Sequence, residues 1–255
     1  MGGTRADSVF PSGIIINNVV VVFTVDRINC PYRRNGCRFT LYCLGRIFIL
    51  AEPSMGKDGM MVNSNGQELL AWLDVETTGL QAKRDALLEV GVTITDLQGV
   101  ERESCSWTIH HDRIPCTKDT VKAFGMHTAN GLLEACFDDT RSVPLNMVER
   151  GLLDMLADQA RHAVDGRLHP AGTNLQFDLD WLYAKFSPEG AARLESLLSY
   201  RRLDLTAFRL GGQARQLMTG VKSEAEHLPS TDHRVDTCLD RDLTEYRAWL
   251  GKGEE

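Results

Sequence analysis

The chain has 255 residues, 43% of them hydrophobic and 25% charged, an ordinary globular composition that excludes wholesale disorder and a collagen-like fibre. Its 28 basic residues face 35 acidic ones, and a net charge of −7 is a poor balance for gripping long duplex DNA through its phosphates. The seven cysteines form no CxxC and no paired spacing, which disfavours a zinc ribbon or a secreted disulfide scaffold and makes a reducing cytoplasm the expected compartment.

Residues 1–60 differ in composition from everything after them. Up to Ala51 there is no Lys, Glu or Gln, and the first Leu is Leu41. Seven basic and four acidic residues make this segment positive, while the remainder is strongly negative. Its most apolar run, 14–25, is interrupted by Asn17-Asn18 and is shorter than the roughly 20 residues a membrane-spanning helix needs. The segment reads as disordered or non-native translated upstream sequence, with a β-rich extension or a targeting segment as the alternatives, and no function is assigned to it. No membrane association is expected. The domain proper is expected over 66–252.

From Glu68 onward the punctuation becomes regular. Residues 69–75 form a short apolar run without helical period, hence a buried strand. Residues 86–95 and 102–109 read as two more strands, joined by the turn-like Asp96-Leu97-Gln98-Gly99 into an antiparallel meander. Short helical pieces follow at 117–124 and 130–136. The stretch 144–164 places Met147, Leu152, Met155, Leu156 and Ala160 at helical spacing behind Pro144. A brief strand at 167–171, helices at 177–186 and 188–198, a strand at 200–205 and a final helix over 233–250 complete the pattern. Strands first, then alternating helix and strand, predict an α/β fold: a mixed sheet with helices on both faces.

The sharpest chemical feature is Trp72-Leu73-Asp74-Val75-Glu76-Thr77-Thr78-Gly79-Leu80. Two carboxylates one residue apart on a buried strand point to the same side of the sheet. Such a pair is costly unless a positive group sits beside it. A hard divalent cation answers the need, because Mg²⁺ favours carboxylate oxygens and water.

Asp74-Val75-Glu76-Thr77-Thr78-Gly79-Leu80 resembles the first motif of the DEDD (DnaQ-like) superfamily of 3′→5′ exonucleases. Two further stretches agree in order and spacing. Ala171-Gly172-Thr173-Asn174-Leu175-Gln176-Phe177-Asp178 is similar to the second motif, where a strand ends and an Asp opens the next helix. Ser230-Thr231-Asp232-His233-Arg234-Val235 is similar to the start of the third motif of the histidine-containing branch. Within that branch the chain most resembles the oligoribonucleases, on Tyr200-Arg201-Arg202-Leu203-Asp204 and on Met126-His127-Thr128-Ala129-Asn130-Gly131-Leu132. The resemblance runs from about Glu68 to Leu250 and leaves the N-terminal segment unmatched.

The resemblance implies an RNase H-like, five-stranded mixed sheet and metal-dependent hydrolysis of short RNA or single-stranded DNA from the 3′ end. Two ions, Mg²⁺ or Mn²⁺, roughly 3.5–4 Å apart, would be held by Asp74, Glu76 and Asp178. His233 would take the proton of the attacking water, as an imidazole with an unperturbed pKa of about 6.5 can. Leu80 would wedge between bases, Asn174 would contact the terminal nucleotide, and His127 would touch the first base, while Phe124 beside it reads better as core than as a second base contact. In oligoribonuclease-like homodimers, Tyr200 and Arg201 would reach the neighbouring subunit's substrate phosphate. Asp204 reads as an orienting residue, and His110-His111 as structural. A proofreading-type DNA exonuclease is the enzymatic alternative. A weakened relative that binds nucleic acid or a partner protein is the other.

The third motif departs from its family. An Asp is expected five residues after the His, and that position is Cys238. The shifted frame from His227 to Asp232 has the literal spacing, but Pro229 interrupts it and His233 opens the better helix. At about 100° per residue, Cys238 and Asp242 fall on one flank of the apolar stripe formed by Val235, Leu239, Leu243, Tyr246 and Leu250. Asp242 is thus the nearest alternative carboxylate, one turn further along.

Overall fold

The computed structural model describes residues 14–16, 19–21, 66–220 and 231–251. The chain divides into two units, Met1–Met55 and Gly56–Glu255. In the first, β1 (Ile14–Ile16) pairs antiparallel with β2 (Val19–Val21), Ile14 opposite Val21 and Ile16 opposite Val19. The rest of the expected 1–60 appendage lies outside the described residues.

The second unit is built on β3 (Leu69–Thr77), β4 (Leu87–Asp96), β5 (Glu101–Thr108), β6 (His169–Gly172) and β7 (Leu203–Asp204), in the spatial order β5-β4-β3-β6-β7. The first three form the expected antiparallel meander; β6 adds parallel to β3, and β7 parallel to β6. This is the mixed five-stranded sheet of an RNase H-like α/β fold. Its helices are α1 (Val121–Ala129), α2 (Leu132–Cys136), α3 (Leu145–Ala160), α4 (Leu175–Lys185), α5 (Pro188–Leu197), α6 (Leu205–Thr219) and α7 (Val235–Trp249).

Strand β3 is covered on both faces, which is why its sequence is a continuous apolar run rather than an alternation. Leu69, Ala71, Leu73 and Val75 join the core formed with α3, α4 and α5. Leu70 and Trp72 face the other way, onto Leu239, Leu243 and Tyr246 of α7 and Leu205 of α6. The Trp72 indole donates to Thr95 Oγ1 at 3.0 Å and meets the Tyr246 ring at 5.1 Å between centroids. The Tyr246 hydroxyl in turn donates to Leu97 O at 2.8 Å, pinning the far end of α7 to the β4–β5 turn. At the near end Gly91 of β4 allows close approach: a Cβ there would stand 2.8 Å from Val235 Cβ and 2.9 Å from Leu239 Cδ1.

Two expectations need correction. The strand expected over 200–205 is only Leu203–Asp204, and an unforeseen 15-residue helix, α6, follows it. That helix buries only Leu205, and Asp204 caps it by accepting the Thr206 N–H at 2.8 Å. The helical piece expected at 117–124 starts instead at Val121 and continues to Ala129. Among the described residues no helix is long and apolar enough to cross a membrane.

Candidate active site

Asp74 and Glu76 share the face of β3 that carries Leu70 and Trp72, so they point at α7. A register shift after Glu76, where Thr77 pairs with Leu87, ends the regular ladder just beyond the two carboxylates. Asp74 Oδ2 is enclosed and has no hydrogen-bond partner. Glu76, 7% exposed, stands opposite Glu89 in the register and has Cys238 Sγ 3.8 Å from Oε1 and His127 Nε2 3.7 Å from Oε2. Burial, with the charges of Asp74 and Glu89, pushes its carboxyl up to about 9. Burial also raises Asp74, aided by Asp178 and Asp242.

Asp178 enters from the first turn of α4, and its Oδ1 accepts the Val75 N–H at 3.0 Å, locking it beside the strand. Its carboxyl too is raised by burial. Among the described residues, however, the set whose ligand atoms converge is Asp74, Glu76 and Cys238, all within 4.8 Å of one another. Cys238 is buried on α7, its sulfur 3.2 Å from Thr231 Oγ1, and burial beside Asp74 pushes its thiol up to about 12. Asp242 lies on the same flank, as helical geometry required, but its Oδ1 accepts from Arg241 Nε at 3.0 Å and Nη2 at 2.8 Å. The orphaned Asp74 oxygen and the oxygen donors around it fit a hard divalent ion.

Sequence reasoning missed Glu89. This residue is 2% exposed in the middle of β4, takes a two-pronged bond from the Arg234 guanidinium, and accepts the Val235 N–H at 3.2 Å. A lone Glu inside the apolar run 87–94 was the available signal, since a buried carboxylate needs a partner. The pair fixes the start of α7 and therefore the residue before it. His233 is exposed, in the left-handed region at φ +57°, and its carbonyl accepts from Asn130 Nδ2 at 2.9 Å. Residues 227–230 of the shifted frame lie outside the described residues.

The other anticipated residues divide into three groups. His127 is wholly buried, bonded through Nε2 to Thr77 O at 3.1 Å; burial lowers its pKa, so it is a neutral inner wall against Glu76. Phe124 packs against the small cluster around Leu88 and Leu132. Leu80 is 85% exposed in the turn after β3, and Asn174 is exposed at the start of α4. The Asn174 backbone N–H is held by Asp204 Oδ1 and Thr206 Oγ1, while its side chain makes no capping bond. These two follow the carboxyl ends of β3 and β6, where ligands of open α/β sheets sit. Tyr200 and Arg201 are exposed and stacked at 5.5 Å, but they precede β7. The Arg201 carbonyl is level with His169, which pairs with Leu70, four residues before Asp74. At about 3.3 Å per residue that is about 13 Å down the strand from the carboxylates of the same chain.

No family model matches the chain. Among curated proteins it is similar to the oligoribonuclease of Coxiella burnetii, 29% identical over 185 residues that cover 71% of this chain and 93% of that protein. It is similar likewise to the oligoribonuclease of Xanthomonas campestris pv. campestris, 26% identical over 200 residues covering 75% and 94%. Among solved structures, E. coli exonuclease I in complex with a dT13 oligonucleotide aligns with a TM-score of 0.48 and 15% identity over 72% of this chain, which spans 40% of that longer one. Similarity at 26–29% identity over more than nine-tenths of the length of these oligoribonucleases supports a DnaQ-like 3′→5′ exonuclease assignment for this chain.

Proposed function

We propose that this protein is a metal-dependent 3′→5′ exonuclease that hydrolyses phosphodiester bonds of short RNA or single-stranded DNA. The observation that carries the reading is the enclosed carboxylate cluster with Asp74 Oδ2 unpartnered, an arrangement that calls for a cation. Asp74, Glu76 and Asp178 would hold two ions, Mg²⁺ or Mn²⁺. Bound there, such ions acidify a water and neutralise the scissile phosphate.

The rest falls to the chain's own side chains. His233, exposed ahead of α7, takes the proton of the attacking water. His127, neutral and buried, backs Glu76 and keeps solvent from its inner side. Leu80 wedges between the last bases, and the Asn174 side chain, not engaged in capping, meets the terminal nucleotide. Tyr200 and Arg201, distant from the carboxylates of their own chain, serve the partner's site in a homodimer, where an Arg suits a phosphate contact. A net charge of −7 suits a substrate with few phosphates. Cytoplasmic residence is the reading drawn from seven cysteines without paired spacing.

End-labelled oligonucleotides of graded length, incubated with Mg²⁺, Mn²⁺ or EDTA, test the reading. The expected result is a ladder of 3′-shortened products, favouring the shortest substrates and lost in Asp74→Asn. A preference for long DNA would select the proofreading alternative. Binding without cleavage under either metal would overturn the enzyme reading in favour of a nucleic-acid-binding relative, the outcome that Cys238 at a carboxylate position would otherwise explain.

A further inference from the structure

The residue at the third-motif position changes the character of the site. Cys238 is not displaced from the carboxylates but packed among them, with its sulfur 3.8 Å from Glu76 Oε1 and within 4.8 Å of an Asp74 oxygen. Ligands around a tetrahedral zinc, at about 2.0–2.3 Å from the ion, stand about 3.3–3.8 Å from one another. The observed trio needs only about 1 Å of closure to reach that spacing. On α7 the nearest other carboxylate among the described residues is Asp242, and its Oδ1 already accepts from two donors of Arg241. The thiol cannot satisfy Asp74 Oδ2 either, because that atom has no donor at all.

Resting on the reading of these carboxylates as a metal centre, we infer that the centre is split by ligand softness. The Asp74–Glu76–Cys238 position selects a thiophilic divalent ion of the zinc class, beside an oxygen-only position at Asp74 and Asp178 that suits Mg²⁺ or Mn²⁺. Sulfur is polarisable and binds borderline-soft ions well, whereas Mg²⁺ holds oxygen and water and gains little from a thiolate. A coordinating thiol gives up its proton to solvent as the ion binds, as does each carboxyl of the set that was protonated, with no change of oxidation state.

Co²⁺ is the probe, because its bond to a thiolate gives a near-ultraviolet charge-transfer band. Full-length, metal-free protein is titrated with Co²⁺ in excess Mg²⁺, then with Zn²⁺ in competition. One equivalent of Co²⁺ producing the band, and its displacement by Zn²⁺, is the expected result. Cys238→Ser, nearly isosteric and checked for folding by circular dichroism, loses the band and weakens Zn²⁺ binding at least about tenfold, since even outer partners of metal ligands contribute about 10–100-fold. Asp74→Asn also loses it, which separates this site from the other six cysteines. Cys238→Asp loses the band and shifts the Zn²⁺/Mg²⁺ selectivity at least about tenfold toward Mg²⁺. A missing band, a band that survives Cys238→Ser or Asp74→Asn, or unchanged selectivity in Cys238→Asp overturns the inference. The two readings fail separately. Oligonucleotide shortening with Mn²⁺ but no sulfur band removes only this inference; a Cys238-dependent band without cleavage under any metal removes only the exonuclease.

Discussion

Glu76→Gln should make the metal-free protein more stable, increasingly so as pH rises. The folded Glu76 carboxyl is pushed from 4.5 up to about 9, so above pH 4.5 the folded protein retains a proton that the unfolded chain releases. The stability this proton confers is complete below the unfolded value and is lost as pH climbs toward the folded one. The slope is about 1.4 kcal/mol per pH unit, or about 4 kcal/mol between about pH 5 and about pH 8. Gln keeps the shape and removes the titration, but turns one amide N–H toward His127, which costs about 1 kcal/mol. The net gain at about pH 8 is on the order of 3 kcal/mol, or about 6–12 °C in Tm for a domain of this size. Urea denaturation in EDTA at several pH values measures it. Added Mn²⁺ should reverse the order, stabilising wild type more than the variant. Parallel stability–pH curves for the two proteins would refute the reasoning, because the carboxyl would then not be held protonated.

Three further outcomes are expected. Glu89→Gln breaks the buried pair with Arg234 and should cost about 3 kcal/mol of stability; kcat should fall more than KM rises, because the start of α7 carries His233, and an unchanged kcat would detach Glu89 from the site. Deleting residues 1–59 should leave the folding and activity of the second unit unchanged, as circular dichroism and the oligonucleotide assay would report; loss of folding would show that the segment contributes structure. Wild type should scatter light as a dimer at micromolar concentration, and Arg201→Ala should raise KM for dinucleotides without altering the dimer; a fully active monomer would remove Tyr200 and Arg201 from the substrate path.

What the sequence disclosed follows from how each feature is encoded. Strands β3 and β4 are legible because burial on both faces leaves nearly continuous apolar runs, as in residues 69–73. The carboxylates of motif one stand out against that background. Helix α6 was obscured by Gly211-Gly212 in its middle, poor helix formers that read as a break, and it buries only Leu205. Helical rotation placed Cys238 and Asp242 on one flank correctly, yet only coordinates show that Arg241 engages Asp242 while Cys238 stands beside Asp74 and Glu76. Glu89 was hidden by its own neighbours, since an acidic residue within an apolar strand gives no hint of the arginine 145 positions later that meets it.

That separation has a consequence for how the protein comes into being. The carboxylates lie on β3, while the groups that meet them from α7 come from the last stretch of the chain: Cys238 is 162 positions beyond Glu76, and Val235 is 146 beyond Glu89. Contacts of such range form late, because the loop must close before they reward it. A chain growing from its N-terminus therefore completes the whole sheet while Glu89 still lacks Arg234 and the centre still lacks its thiol. Activity and the final charge balance arrive together, when α7 docks over Gly91, and a chain cut short before Val235 would carry a folded-looking sheet with an open, uncompensated acidic seam.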